Sequence, residues 1–376
     1  MERRLELDAA RGLMLVWITL THLPTVISTY VNQPLGFFSA AEGFIFLSAL
    51  FTGHIYFRTA SRDGFRAMYR KLSLRTLKLY WYHIVLLALT FLIAVPIAQR
   101  GNRPGLHNLL DYYFAVGPIH SAIDGVLLIY RPPLLDILPM YILFLLITPI
   151  VLMVTMRRGW KYVLGFSAFF WLFAQFGLRQ YAHDFLAHVG LQIPLNEMGS
   201  FDLWAWQFLW ILGLWLGVRW AKNDLPLTRW ARRLTIPAIF IVPVLLVLRY
   251  MVGAGFELGS LAFNVDKWHL GVVRLIDFSA FAVLLIRFQW LVKPLAVHPL
   301  VLLGQSSLQV FCAHLFFCFF GLTMMGNASM VTGWGQVFLL TITFSGLLLT
   351  AHIFGKPEAK RLRGRSSAPL GAGAAS

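Results

Sequence analysis

Ten apolar stretches dominate the chain, near residues 9–28, 37–57, 76–98, 134–156, 160–178, 201–218, 235–252, 270–286, 299–325 and 334–354. As helices, each is long enough to cross a hydrocarbon core of about 30 Å. Backbone N–H and C=O groups in hydrocarbon must be satisfied internally, and uniformly apolar runs of this length do so as α-helices. The pattern therefore predicts an all-α polytopic membrane protein of about ten transmembrane helices. Composition agrees. Of 376 residues, 58% are hydrophobic and 13% charged, about half the charged share of a soluble domain, roughly 25%.

Where the charges fall decides what they mean. Lysine and arginine number 32 against 16 acids. With the N-terminus in the cytoplasm, segments 1–8, 58–75 with Lys78, 157–161, 219–233, 287–298 and 355–376 hold 24 of the 32. The opposite loops hold Arg100, Arg103, Arg131, Arg179 and Lys267, and Arg11, Arg249 and Arg274 lie within spans. This bias predicts an even span count with both termini cytoplasmic. It also removes the reason to expect nucleic acid as a partner, since no basic patch lies on a soluble face. The first apolar run is followed by His-Leu-Pro rather than by a cleavage site, so it is expected to remain as the first span. Residues 1–358 read as one transmembrane domain. Residues 359–376 read as a cytoplasmic tail, basic and then low in complexity, whose SSAPLGAGAAS ending is expected to be disordered.

Ionisable groups inside the spans are costly and therefore mark candidate function. Arg11 and His22 are eleven residues apart, which on a helix is about three turns and a rise of about 16 Å. They share one face at different depths. Glu42 lies about as far from the outer end of the second span as His22 does from that of the first. A short loop makes these helices antiparallel neighbours, so the carboxylate is expected to meet the imidazole, fix its tautomer and stabilise the imidazolium; a purely structural polar contact is the alternative. The third span opens with Arg70, Lys71, Arg75 and Lys78, a cationic ladder suited to a phosphate-rich ligand as well as to orientation. Ser306, Ser307, Gln309 and His314 supply hydrogen-bonding groups in the ninth span, where interhelical contacts are the ordinary use. Outside, residues 99–133 suggest an interfacial or re-entrant helix, and Trp204 is a candidate for stacking on a sugar, against the commoner use of such rings in an aromatic belt. No metal is expected. His183 and His188, five apart, do not share a helix face, and Cys312 and Cys318, six apart, point to different faces.

At these residues the chain resembles the acyltransferase 3 family of membrane acyltransferases, and within it the OpgC branch, succinyltransferases of osmoregulated periplasmic glucans. The first span carries the family's R-x10-H pattern as Arg11 and His22. EGFIFLSALFTG is similar to the family's acidic, Phe-rich and Ser-Gly segment, with Glu42 and Ser48 in place and Ala49 where glycine is usual. LRTLKLYWY resembles the start of the third span, with Arg75, Tyr80 and Trp81 matching and Lys78 in place of proline. LGQSSLQVFCAHL and GKPEAKRL are similar to the closing motifs, and LLDILPMYILFLLITPI, headed by Asp136, is most like the OpgC branch. The likeness covers nearly the whole chain.

The resemblance implies transfer of an acyl group from a cytoplasmic acyl-CoA to a carbohydrate on the other side of the bacterial inner membrane. It implies that His22 deprotonates a glucose hydroxyl, that Glu42 orients it, and that Arg11, Arg75, Lys78, Ser48 and Tyr80 hold the donor. Asp136, Trp204 and His314 are the candidate residues for the acceptor. Succinyl-CoA is the expected donor, a periplasmic glucan the expected acceptor, and Lys78 or Arg274 the candidate partner of the succinyl carboxylate. Membrane lipids are the other expected partners, and a homodimer is an open assembly. Other readings are acetyl or other acyl transfer to a different envelope glycan, and an anion or glycan transporter, which inverted repeats would favour.

Overall fold

The computed structural model describes residues 5–101, 104–225, 227–325 and 328–366. Its first elements are α1 (Leu5–His22), α2 (Val26–Val31), α3 (Ala40–Leu89) and α4 (Val95–Arg100), followed by the short α5 (Pro104–Leu109), α6 (Asp111–Val116) and α7 (Pro118–Val126). Next come α8 (Ile137–Arg158), α9 (Trp160–Ala174), α10 (Leu178–His188), α11 (Leu203–Ala221) and α12 (Leu227–Gly253). The chain closes with α13 (Val272–Arg287), α14 (His298–Gln305), α15 (Ser307–Met325) and α16 (Gly333–Ser366). α16 runs through the basic segment to Ser366; the low-complexity residues 367–376 lie outside the described ones.

Among the described residues six helices are long and apolar enough to cross a membrane, or up to eight if each of two bent pairs is one span. The protein is therefore a membrane protein. α1 falls outside that number because Glu6, Asp8 and Arg11 all lie in its 18 residues. Ala40–Arg100 enters it once, although α3 is interrupted at Gly64, where φ is 82° and ψ is 167°, a conformation open to glycine and closed to most other residues. The guanidinium of Arg75 lies 6.0 Å from the ring of Tyr56. Nineteen residues along a straight helix would put them about 28 Å apart, so the chain folds back at Gly64 into two arms. The fifth expected span breaks after Ala174, where α10 leaves α9 at 81°, and the eighth breaks beyond Arg287 with a bend of 85°.

Local chemistry sets the ends that matter. α1 stops at His22 because Leu23 precedes Pro24, and a residue before proline is disfavoured in helical conformation. The next segment then ties to a distant one, with Val331 N–H donating to the Pro24 carbonyl at 2.7 Å. α3 starts at a capping box. The Ser39 hydroxyl accepts from Ala41 N–H, and Glu42 Oε2 accepts from Ser39 N–H at 2.9 Å. The short helices α5 to α7 fold back along the second arm of α3, where the Gly125 carbonyl meets His83 Nε2 at 3.1 Å.

The core lies where α3, α8 and α11 meet, around the fully buried Trp206 and Trp210. α12 is peripheral: only 6% of its apolar window is buried, leaving it as a lipid-facing helix. α11 and α3 approach closely through small residues, as membrane helices do in the absence of a hydrophobic drive between them. A Cβ at Gly217 would lie 2.1 Å from the Leu50 carbonyl oxygen, and one at Gly213 would lie 2.6 Å from Ala49 Cβ. Ala49, which stands where the resemblance leads one to expect glycine, is thus accommodated by glycine on the facing helix. Gly217→Leu is expected to force the two helices apart at a cost of about 1–3 kcal/mol or more, seen as a lowered melting midpoint in detergent. Gly165→Leu, on the exposed side of α9 with nothing within 4 Å of its Cβ direction, should leave the midpoint unchanged.

Candidate active site

α1, both arms of α3, α8 and α15 line a narrow cavity with about 30 Å³ of free space, room for two or three waters by the usual measure of about 10–15 Å³ each. Its polar lining is Arg11, Ser48, Arg75, Tyr141 and Ser307, and Phe44, Leu138 and Phe311 are among its apolar walls. Arg11 donates from Nη2 to the Ser307 hydroxyl, and its guanidinium lies 5.1 Å from the ring of Phe51. Arg75 donates from Nη2 to the Tyr141 hydroxyl at 2.7 Å. The buried Ser48 hydroxyl has no hydrogen-bond partner among the described residues. Arg75 meets neutral hydroxyls and rings there, which hold its geometry without cancelling its charge. Such a site attracts an anion.

His22 is not among the residues that line this cavity; Phe311, which is, connects to it through His314. The Phe311 ring stacks on Phe44, with centroids 5.5 Å apart, and is 4.6 Å from the ring of His314. His314 in turn is 6.1 Å from His22, ring to ring. Nδ1 of His314 is hydrogen-bonded to the Phe311 carbonyl. A carbonyl only accepts, so Nδ1 carries the proton and Nε2 holds a lone pair. That Nε2 is buried without a hydrogen-bond partner among the described residues, as is Nδ1 of His22.

Glu42 does not meet His22 as expected. Arg274 Nε and Nη2 both donate to Glu42 Oε1, the first at 2.8 Å, and Ser39 donates to Oε2 from its amide at 2.9 Å and its hydroxyl at 2.6 Å. Both carboxylate oxygens are therefore engaged, in a pair whose side chains are 1% and 0% exposed. The neighbour of His22 is instead the neutral His314. α13 grips the start of α3 a second time, since Asp277 Oδ2, one turn beyond Arg274, accepts from Phe37 N–H at 2.6 Å.

Of the expected donor-binding residues, the structure brings Arg11, Ser48 and Arg75 together and leaves two outside the cavity. Lys78 lines an open groove with Leu74, Leu77, Trp81, Tyr82 and Val85, where its ammonium lies 3.2 Å from the Gln309 amide oxygen. The Tyr80 hydroxyl donates to the Val126 carbonyl at 3.0 Å. Of the acceptor candidates, only His314 stands beside His22. Asp136 accepts from Ser200 N–H at 3.1 Å and pins the loop before α11. Trp204 stacks on Phe170 with centroids 5.1 Å apart, a contact between α11 and α9 on the apolar flank. His183 and His188 are engaged with the carbonyls of Ile193 and Asp184.

Tyr141, Ser39 and the Arg274–Glu42 pairing were not foreseen from the sequence. The Ser39-x-x-Glu42 spacing was the available signal for the first half of the clamp. The need of a buried arginine for an acid was the signal for the second. Lys267 lies in the loop before α13, its ammonium over the rings of Trp268 and Phe201. Burial draws its ammonium below the ordinary lysine range, and the nearby Glu42 carboxylate pulls the other way. Burial likewise lowers Arg131, to about 10, with repulsion from Arg179 adding to it.

A family model described as OpgC protein matches residues 3–357, which include every residue of the cavity and of the histidine pair. The chain belongs to the OpgC family. No curated protein and no solved structure matches it. OpgC membership implies an acyltransferase; Ser48, Arg75, Tyr141 and His314 lie on helices able to cross a membrane, and Arg11 and His22 lie on α1. For this OpgC protein, removing one partner of the buried clamp should cost far more than removing both. Arg274→Met is expected to destabilise by about 3–5 kcal/mol, and the double variant Glu42→Met with Arg274→Met to recover a large part of that loss. Thermal melting in detergent checks this, and equal losses in the two variants would refute the clamp.

Proposed function

We propose that this protein transfers a succinyl group from cytoplasmic succinyl-CoA to glucose hydroxyls of osmoregulated periplasmic glucans. The reading places it in the bacterial inner membrane with ten spans and both termini in the cytoplasm. The observation that carries it is the arrangement about Phe311. Phe311 lines the cavity with Arg11, Ser48 and Arg75, its ring neighbours that of His314, and His314 neighbours His22. A nucleotide-bearing thioester needs cations on its donor side, which Arg11 and Arg75 supply. A sugar hydroxyl needs a base within reach, which is the part of His22.

In this mechanism the hydroxyl proton passes to a ring nitrogen of His22 while the sugar oxygen attacks the thioester carbonyl carbon. A C–O bond forms, the C–S bond breaks, and the proton returns to the CoA thiolate. His314 presents its Nε2 lone pair beside His22, a neutral acceptor for an imidazolium N–H. Glu42 acts at one remove: with Arg274 it sets the start of α3, on which Ser48 follows six residues later.

His22→Ala should abolish glucan-dependent release of free CoA from succinyl-CoA while leaving the melting midpoint near that of the wild type. His314→Phe, which removes the acceptor, should reduce the rate by about 10²-fold, at the low end of what positioned acid–base groups contribute. Wild-type rates in a folded His22→Ala protein would sink the assignment. Movement of glucan across liposomes without thioester loss would point to transport instead.

A further inference from the structure

We propose that Lys267 reads the distal carboxylate of the acyl donor and so selects a dicarboxylic acyl group over a neutral one. The inference rests on the succinyl-transfer reading and names the residue that would give it donor specificity. For reaction, the thioester carbonyl must come within bonding distance of the hydroxyl that His22 activates. The CoA portion occupies the Arg11 and Arg75 side, so the rest of the acyl chain continues past His22 toward the outer loops. In a succinyl group the carboxylate carbon is three C–C bonds beyond the carbonyl carbon, about 4 Å with bonds of about 1.5 Å. A carboxylate placed there is strongly disfavoured unless a cation meets it.

The cations of α3, α13 and the neighbouring loops can be sorted by what their nitrogens already do. Arg274 has Nε and Nη2 on Glu42 Oε1, and its Nη1 faces the Val265 carbonyl at 3.4 Å. Arg131 donates from Nε to the Leu128 carbonyl at 2.8 Å. Arg179 donates to the carbonyls of Leu195, Gly199 and Ser200. Lys78 stands in the groove on the outer face of the second arm of α3, beside Gln309. Neither Arg274 nor Lys78, the two residues expected to meet the carboxylate, is thus placed to do so.

Lys267 differs from all of these. Its ammonium lies over the faces of Trp268 and Phe201, at 4.8 and 5.7 Å from the ring centroids, and donates no hydrogen bond among the described residues. Its charge reaches the His22 ring. The acids its field also reaches, Glu42 and Asp136, are already hydrogen-bonded, the first by Arg274 and Ser39 and the second by the Ser200 amide. The backbone that carries it is fixed, because the adjacent Trp268 carbonyl accepts from Asp202 N–H at 3.0 Å and from Trp206 Nε1 at 3.1 Å. A lysine held by aromatic faces on an anchored loop keeps three donors for an incoming anion.

The test uses the full-length protein in detergent with glucan as acceptor. It compares kcat/KM for succinyl-CoA with that for butyryl-CoA, a neutral donor with the same number of acyl carbons. The wild type should prefer succinyl-CoA, and Lys267→Met should lower the succinyl-to-butyryl ratio about 10- to 100-fold, the scale of a lost hydrogen bond to a charged group. Lys267→Arg, which keeps the charge, should retain most of the preference. An unchanged ratio in a folded Lys267→Met protein overturns the inference, as does a wild type that uses both donors equally, a readout that depends on no variant. A wild type that releases CoA from neither donor overturns the transfer reading itself.

Discussion

The buried pair between Glu42 and Arg274 is the contact on which the rest of the arrangement depends. Two charges in a low-dielectric interior repay their desolvation only when geometry is good and the remaining lone pairs are met. Both conditions hold. Two guanidinium nitrogens converge on one carboxylate oxygen and Ser39 supplies two donors to the other. Because Ser39 is the N-cap of α3 and Asp277 holds the amide of Phe37 just before it, the pair is continuous with the helix start. Ion pair and cap form one unit, and α13 thereby sets where α3 begins. The residues that the first arm of α3 presents to the cavity, Phe44, Ile45 and Ser48, take their depth from that point.

Small-residue contacts then fix the first arm of α3 laterally. Gly213 and Gly217 let α11 rest on Ala49 and Leu50, the two residues after Ser48, while Gly12 on α1 and Gly304 on α14 leave room for each other's backbones. Beside these two close contacts the chain keeps a narrow gap with largely apolar walls, into which Arg11, Ser48 and Arg75 bring polar groups. Larger residues at the contacts would widen the spacing between helices and misplace Ser48 and Arg11, the two groups that the contacts bracket.

Much of this was legible in the sequence, and what was not has a physical reason. The helical repeat places Arg11 and His22 on one face of α1, and the third-span ladder marks Arg75; both expectations rest on local geometry alone. The same repeat argues against Tyr80 as a companion of Arg75, since five residues at 100° turn the side chain by about 140°, and its hydroxyl is indeed at Val126. Lys78 is only about 60° from Arg75 by that count, enough for a long, exposed side chain to take the groove instead of the cavity. The partner of Glu42 was not legible, because Arg274 is 232 residues away and no local rule selects among distant cations. Short connection and equal depth made His22 the nearest candidate. Tertiary packing of α13 across the start of α3 decided otherwise.

That outcome bears on how His22 can act. A carboxylate hydrogen-bonded to an imidazole favours its charged form, and an imidazole already protonated cannot take a proton from a sugar. With both oxygens of Glu42 held by Arg274 and Ser39, that anion is kept off the ring. His314 offers instead a neutral nitrogen whose lone pair is fixed by the bond from its other nitrogen to the Phe311 carbonyl. A neutral acceptor stabilises an imidazolium once formed without holding the ring protonated beforehand. In the proposed mechanism, the setting of α3 by the clamp and the availability of His22 as the base are therefore two consequences of the same pairing.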